Sequence, residues 1–250
     1  MLQFHYDKVK TVEEGVVRLL TIRDMEIPDF KIEKKGDGFA DVLVLRGKRI
    51  PLFRWRHDPR MNSMRAYGQK AVAENNCINT SSFVGCDVPL KDLIYAECDI
   101  AEYVLGSPIV KVTAFINGAA CNLIAKTERG TLANLELGAT MAPGTIPQFD
   151  HRVITGHGMA TDRTVNTITE ESGVYLFRQD DPRPYEFNDA EYYLYGLTPE
   201  ESHTATLAFA IIGGKVDAEL MIKTDEHLCQ VVDAVYESAR TGGTVNVEEV

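Results

Sequence analysis

The stretch Pro89-Leu90-Lys91-Asp92-Leu93-Ile94-Tyr95-Ala96-Glu97-Cys98-Asp99-Ile100-Ala101-Glu102-Tyr103-Val104-Leu105-Gly106 reads as one amphipathic helix, and its surroundings decide the fold. Leu90, Leu93, Ile94, Ala101, Val104 and Leu105 recur at steps of three and four, which makes one apolar stripe. Asp92, Ala96, Asp99 and Tyr103 fall along the other side, because residues four and seven apart stack on a helix. Gly106 stands where a left-handed residue past the helix end costs glycine little. Two carboxylates thus share a face, with an alanine between them. Glu97 falls inside the apolar arc. It is a candidate acid if buried alone, or the partner of a basic residue if the helix is covered on both sides.

Upstream, Thr11-Val12-Glu13-Glu14 has capping-box spacing and opens a short helix to about Leu20. Residues 27–55 read as three strands, separated by Lys35-Gly36-Asp37-Gly38 and Arg46-Gly47-Lys48, both good turn chemistry. Residues 62–75 suit a polar surface helix weakened by Gly68, and residues 79–88 read as a connector into the Pro89 helix. Downstream the texture is β. Residues 109–116, 120–127 and 131–137 alternate apolar and polar, with Asn117-Gly118 and Glu128-Arg129-Gly130 as hairpin turns. Residues 149–155 and 173–177 continue the series. Gly156-His157-Gly158 follows a strand, but no helical stripe comes after it, so it reads as a hairpin turn and not a phosphate loop. A helix opens at Thr198-Pro199-Glu200-Glu201. Another opens at Thr224-Asp225-Glu226 with the stripe Leu228, Val231, Val232, Val235 and Ala239, and a last strand spans residues 244–247. The expected fold is one α+β domain over residues 1–250, a large, mostly antiparallel open sheet with helices on one face.

Composition narrows the function classes. A net charge of −11 argues against a nucleic-acid partner and against anionic membranes. The amino terminus MLQFHYDKVK lacks the apolar stretch of a signal peptide, and no run reaches the ~18–20 apolar residues of a membrane span. Five cysteines, Cys77, Cys86, Cys98, Cys121 and Cys229, are widely spaced and odd in number, which fits free thiols in a reducing compartment. A cytoplasmic protein is expected.

From about Asp87 onward the chain resembles the C-terminal domain of the Gfo/Idh/MocA oxidoreductases, the glucose–fructose oxidoreductase and inositol dehydrogenase superfamily. Three blocks carry the resemblance. Residues 92–108 are similar to that family's D-x-x-x-H-x-x-D helix, with its short apolar run, Gly and Pro. Gly130-Thr131-Leu132-Ala133-Asn134-Leu135-Glu136-Leu137-Gly138, with His151-Arg152-Val153-Ile154-Thr155-Gly156-His157-Gly158 after it, resembles the central hairpin and its I-x-G-x-x-G strand end. Val232-Asp233-Ala234-Val235-Tyr236-Glu237-Ser238-Ala239-Arg240-Thr241-Gly242 resembles the closing helix. Residues 1–86 carry no such likeness. The resemblance implies a C-terminal sheet whose open face packs on another subunit. It also implies an N-terminal Rossmann domain for a nicotinamide cofactor, whose strand, glycine-rich turn and helix are not found before Asp92.

In the family a lysine, an aspartate and a histidine surround the substrate hydroxyl, and histidine suits that proton transfer. Carried onto this sequence, the aspartates are Asp92 and Asp99, the histidine position is Ala96, and the E-K-P lysine has no counterpart: Glu33-Lys34-Lys35 runs into Gly36. Alanine moves no proton, so the catalytic assignment is confined to Asp92. Substrate-wall candidates are Asp92, Tyr95 and Asp99, with the cationic cluster Arg54, Trp55, Arg56 and His57 as an anion- or sugar-holding element or, structurally, a charged strand end. His151 and His157, near Asp150, lie on one face about 20 Å apart in an extended strand, so no metal site is expected. The expectation is the substrate-binding and oligomerisation half of a sugar- or polyol-type oxidoreductase, leaning towards no catalysis as an isolated chain. It binds no cofactor alone, and NAD(P) enters only if a partner supplies the Rossmann domain. A working subunit using such a partner, and a small-molecule binding or sensing module, are the alternatives. A homodimer or larger assembly through the open sheet face is expected.

Overall fold

A computed structural model of the chain describes residues 8–36, 38–70, 77–156, 158–162, 175–178 and 194–247. In chain order the helices are α1 (Val12–Ile22), α2 (Pro59–Lys70), α3 (Leu90–Leu105), α4 (Pro199–Ile212) and α5 (Ala218–Thr241). The strands are β1 (Phe30–Glu33), β2 (Asp41–Leu45), β3 (Lys48–Leu52), β4 (Cys77–Gly85), β5 (Ile109–Asn117), β6 (Ala120–Thr127), β7 (Leu132–Met141), β8 (Gln148–Thr155), β9 (Gly158–Thr161), β10 (Tyr175–Arg178) and β11 (Val245–Asn246). A short 3₁₀ turn covers Arg54–His57. The chain divides into two compact units, Met1–Asp58 with Asp189–Glu226, and Pro59–Asn188 with His227–Val250.

The first unit is a three-stranded antiparallel sheet, β1-β2-β3, with α1 packed on α4. The Arg46-Gly47 turn between Leu45 and Lys48 has φ of 51° and 78°, the paired left-handed geometry that matches the twist of a tight hairpin. Thr11 caps α1 by accepting from the Glu14 amide at 3.2 Å, as its spacing predicts. Thr198 and Glu201 form a complete reciprocal box at the start of α4. Gly196 has a φ of 110°, and a Cβ there would stand 2.5 Å from the Val9 carbonyl oxygen and 3.1 Å from the Val9 amide. That backbone is already engaged, since the Val9 amide donates to the Tyr195 carbonyl at 2.9 Å. Gly196→Ala is therefore expected to cost about 1–3 kcal/mol of stability, read as an earlier urea midpoint; an unchanged midpoint would contradict the close approach.

The second unit is an eight-stranded sheet of order β10-β9-β8-β4-β7-β6-β5-β11. The hairpins β5-β6 and β6-β7 form where the alternation and turns foretold them, and β8-β9 closes at Thr155 and Gly158. The mostly antiparallel expectation needs correction: the sheet is mixed, because β4 inserts between β7 and β8, parallel to the first and antiparallel to the second. The same strand overturns the reading of residues 79–88 as a connector. Ile78, Thr80, Ser82 and Val84 are buried in alternation, but two of the four inward positions carry hydroxyls, so the apolar signal is half erased. The helix anticipated at Asn62 starts at Pro59 and is described to Lys70; residues 71–76 lie outside the described residues. Helix α5 starts at Ala218, before the Thr224 start that the sequence suggested, and ends where expected at Gly242, with φ of 72°. Of the strand expected at 173–177, residues 175–177 are described, as part of β10.

Helices cover one face of this sheet. α3 packs on β4, β6 and β7, and α2 packs on α3. α5 is tied to β5 by the buried Ser238 hydroxyl, which accepts from the Ala114 amide at 2.9 Å and donates to the Gly243 carbonyl. Along the opposite face run polar cross-strand pairs, Asn134 donating to Asn79 at 2.9 Å and Ser81 to Glu136 at 3.2 Å. The exposed side chains Phe115, Ile124, Leu132 and Ile154 lie on that face too.

Candidate functional site

The site builds outward from α3. The helix begins after Pro89, which holds extended φ and ψ and supplies no side-chain cap. Asp92 sits in the first turn, where a carboxylate complements the exposed amides of the helix start. Asp92 and Ala96, one turn further on, are both half-buried. Tyr95 and Asp99 are fully buried, and so are Glu97 and Cys98. The two-faced helix of the sequence is thus enclosed over most of its circumference, with the sheet on one side and α2 on another. Asp92 and Ala96 remain the members of the predicted set with a partly open position, while Tyr95 contributes to the core. Tyr103 donates to Asn62 at 2.5 Å and carries the Arg65 guanidinium 4.2 Å above its ring.

Tyr236 of α5 belongs to the same neighbourhood. Burial pushes its phenol up, and the charges of Cys121 and Asp92 add to the shift. It lies outside the apolar stripe of α5, on an exposed position that no sequence signal singles out.

The predicted cationic cluster lies in the first unit and α3 in the second, each described by itself. Arg54 pairs with Glu200 at 3.0 Å, and the Arg56 guanidinium stands 4.9 Å over the Phe53 ring. The Trp55 and Phe53 rings are 6.0 Å apart. Burial, and then the charge of His203, hold the His57 imidazole below its ordinary range. The two guanidiniums are therefore engaged within the unit, which fits the structural reading of this cluster.

Beneath α3 is an arrangement that the sequence did not assemble. His151 of β8 is buried, with Nε2 2.9 Å from Glu97 Oε2 and Nδ1 2.6 Å from Asp162 Oδ2. Its backbone amide also donates to Asp162 Oδ1 at 2.7 Å. Glu97 therefore has the basic partner that its place in the apolar arc called for. An ionised carboxylate only accepts, so two such contacts require two protons shared among three groups. The triad then carries one net negative charge, whether written as imidazolium between two carboxylates or as neutral imidazole with one carboxylic acid. Burial alone would lower the His151 pKa, but the charges and hydrogen bonds of Asp162 and Glu97 overcome it and raise the pKa well above the ordinary value. For Asp162, burial is likewise outweighed by His151, with Arg60 adding a smaller attraction, and the carboxyl is held low. A second pair lies further along α3: Glu102 accepts from the Ile109 amide at 2.7 Å and faces His227 Nε2 at 2.8 Å.

Glu97 and His151 were findable in part. An acid in an apolar arc and a histidine in an inward strand position are each a demand for a partner. Asp162 follows a hairpin and had no such mark. Among the described residues no group of three or more His, Cys, Asp or Glu is arranged to hold a metal. His157 lies outside the described residues. No helix among the described residues is long and apolar enough to cross a membrane.

Neither a protein-family model nor a curated protein matches the sequence. Solved structures do match in fold. An oxidoreductase domain protein from Kribbella flavida superposes with a TM-score of 0.61 at 14% identity, covering 78% of this chain and 64% of its own. Levoglucosan dehydrogenase in complex with NADH and levoglucosan gives 0.61 at 14% identity, covering 79% of this chain and 66% of its own. An oxidoreductase from Agrobacterium radiobacter in complex with NAD+, L-tartaric acid and magnesium gives 0.59 at 14% identity, covering 96% of this chain and 71% of its own. The chain shares the fold of these dehydrogenases and spans about two thirds of their length. The match reaches beyond the stretch after Asp87 to which the sequence resemblance was confined.

Proposed function

We propose that this chain is an oxidoreductase-type protein that binds a sugar- or polyol-like ligand beside Asp92 and carries out no hydride transfer of its own. The observation that carries this reading is Ala96. Where the resemblance calls for a proton-shuttling histidine, the half-open face of α3 offers a methyl group. The histidine beneath the helix is no substitute, because both His151 ring nitrogens are already bonded to carboxylates. Asp92, with the Tyr236 hydroxyl in its neighbourhood, forms the polar wall left for ligand hydroxyls.

The fit of a dinucleotide supports the same reading. Its pyrophosphate needs a strand, a glycine-rich turn and the open amides of a helix N-terminus. The strand-to-helix junction at α3 is Gly85-Cys86-Asp87-Val88-Pro89, with a carboxylate where the phosphates would lie and a single glycine. In the first unit the strands are joined as antiparallel hairpins, without the parallel crossover such a site uses. These residues do not fit the cofactor.

Titration of the purified chain with NADH and NADPH, followed by nucleotide fluorescence, is expected to give no saturable binding; saturation would sink the proposal. A thermal-shift series with levoglucosan, inositol and sorbitol is expected to stabilise the chain by a few degrees. Ligand at a hundredfold excess over Kd contributes about 2.7 kcal/mol. Asp92→Asn should remove that shift. For assembly, the exposed apolar groups of the open sheet face favour a homodimer or larger oligomer. Sedimentation showing only monomer at micromolar concentration would contradict it.

A further inference from the structure

Thr80 Oγ1 and Ser82 Oγ are buried and have no hydrogen-bond partner. Both belong to the inward-facing positions of β4, at 3% and 0% exposure, beneath the helices that cover the sheet. Their cross-strand neighbours are Leu135 and Leu137 on β7, and His151 and Phe149 on β8. The leucines offer nothing to a hydroxyl. His151 is the polar neighbour by register, but its two ring nitrogens are occupied by Asp162 and Glu97. Buried polar groups in native proteins are hydrogen-bonded in the large majority, to protein or to ordered water, so two adjacent orphans demand an occupant. Residues two apart on a strand stand about 6.7 Å from each other. That spacing is too long for a direct bond and suits a bridge through one or two further oxygens.

We propose that Thr80 and Ser82 form a buried hydroxyl-binding subsite under α3, whose occupant is a hydroxylic small molecule bridging the two side chains. Two sources share this chemistry: ordered solvent water, and a hydroxyl of a sugar or polyol. The second rests on the ligand class proposed above; the first does not.

The experiment uses the full chain with Thr80→Val, which keeps the side-chain shape, and Ser82→Ala, each melted in plain buffer and again with sorbitol or levoglucosan. If the hydroxyls hold water, both variants melt about 2–4 °C lower without any sugar. In the wild type the Thr80 methyl then shows a cross-relaxation peak to long-lived water in NMR spectra. If they hold a polyol hydroxyl, the sugar-induced rise in melting temperature seen in the wild type is lost in Ser82→Ala, and the water peak vanishes on sugar addition. Unchanged or higher melting temperatures in both variants, with no water peak and an intact sugar response, would overturn the subsite. Because the plain-buffer arm needs no sugar, a chain that binds no sugar at all can still pass or fail it.

Discussion

Replacing His151 with alanine is expected to lower the melting temperature of the chain by roughly 6–20 °C. The imidazole is the shared partner of Glu97 and Asp162, all three nearly devoid of solvent contact. Removing it leaves two carboxylates facing a void, and breaking a buried ion pair from one side typically costs about 3–5 kcal/mol. For a chain of 150–250 residues each kcal/mol corresponds to about 2–4 °C. His151→Gln, which can still donate to one carboxylate, should recover part of the loss, and Asp162→Asn should fall between. Circular dichroism melts of the three variants decide it. A His151→Ala protein melting within two or three degrees of the wild type would mean that the triad contributes little and that α3 is held by its apolar contacts alone.

Stability should fall as pH rises above 6.5 towards the folded-state pKa of His151, the opposite of the behaviour set by paired carboxylates. His151 has a folded-state pKa well above its ordinary 6.5. Its contribution is complete below 6.5, where the unfolded chain is also protonated, and drains away as pH climbs towards the folded value. For one proton the slope approaches about 1.4 kcal/mol per pH unit. Asp162, lowered from 3.8, acts at the other end: its contribution is present above that value and is lost as pH falls through the folded one. His57, held below 6.5 by burial and His203, costs stability only on the acid side of 6.5. Cysteine ionisation belongs to higher pH, since Cys77, Cys98 and Cys121 are raised above 9.0. Urea titrations at half-unit steps across this window should therefore show a declining limb in the wild type and a flat one in His151→Gln. Parallel curves for the two proteins would remove His151 as its source.

Much of the second unit was legible because its β-hairpins announce themselves. Alternation with Asn-Gly and Arg-Gly turns located β5, β6 and β7 closely, and a clean stripe ending at Gly242 located the end of α5. The miss at β4 has a physical cause. A strand that buries Thr80 and Ser82 shows no more apolar contrast between its faces than a loop does, so only its pairing with Leu135 and His151 reveals it. The site was legible in the same uneven way. Asp92 and Ala96 could be placed by their helical spacing, a local property. The triad draws on residues 97, 151 and 162, and only the register of β8 beside β4 brings the first two together. Nothing in the sequence around Asp162 marks it as a partner.

The position of β4 also bears on how the sheet can be assembled. β5, β6 and β7 follow one another through tight turns, and β8 and β9 do the same, so each set can zip up from contacts near in sequence. Among the described residues the two sets meet only through residues 77–85, which lie about 55 residues upstream of their partners on β7 and more than 60 upstream of those on β8. The seam of the sheet is thus made of high-separation contacts, the kind that slow folding and leave strand edges unpaired while they wait. In a nascent chain β4 is made before the other strands of this sheet, and it stays without a ladder until β7 has emerged.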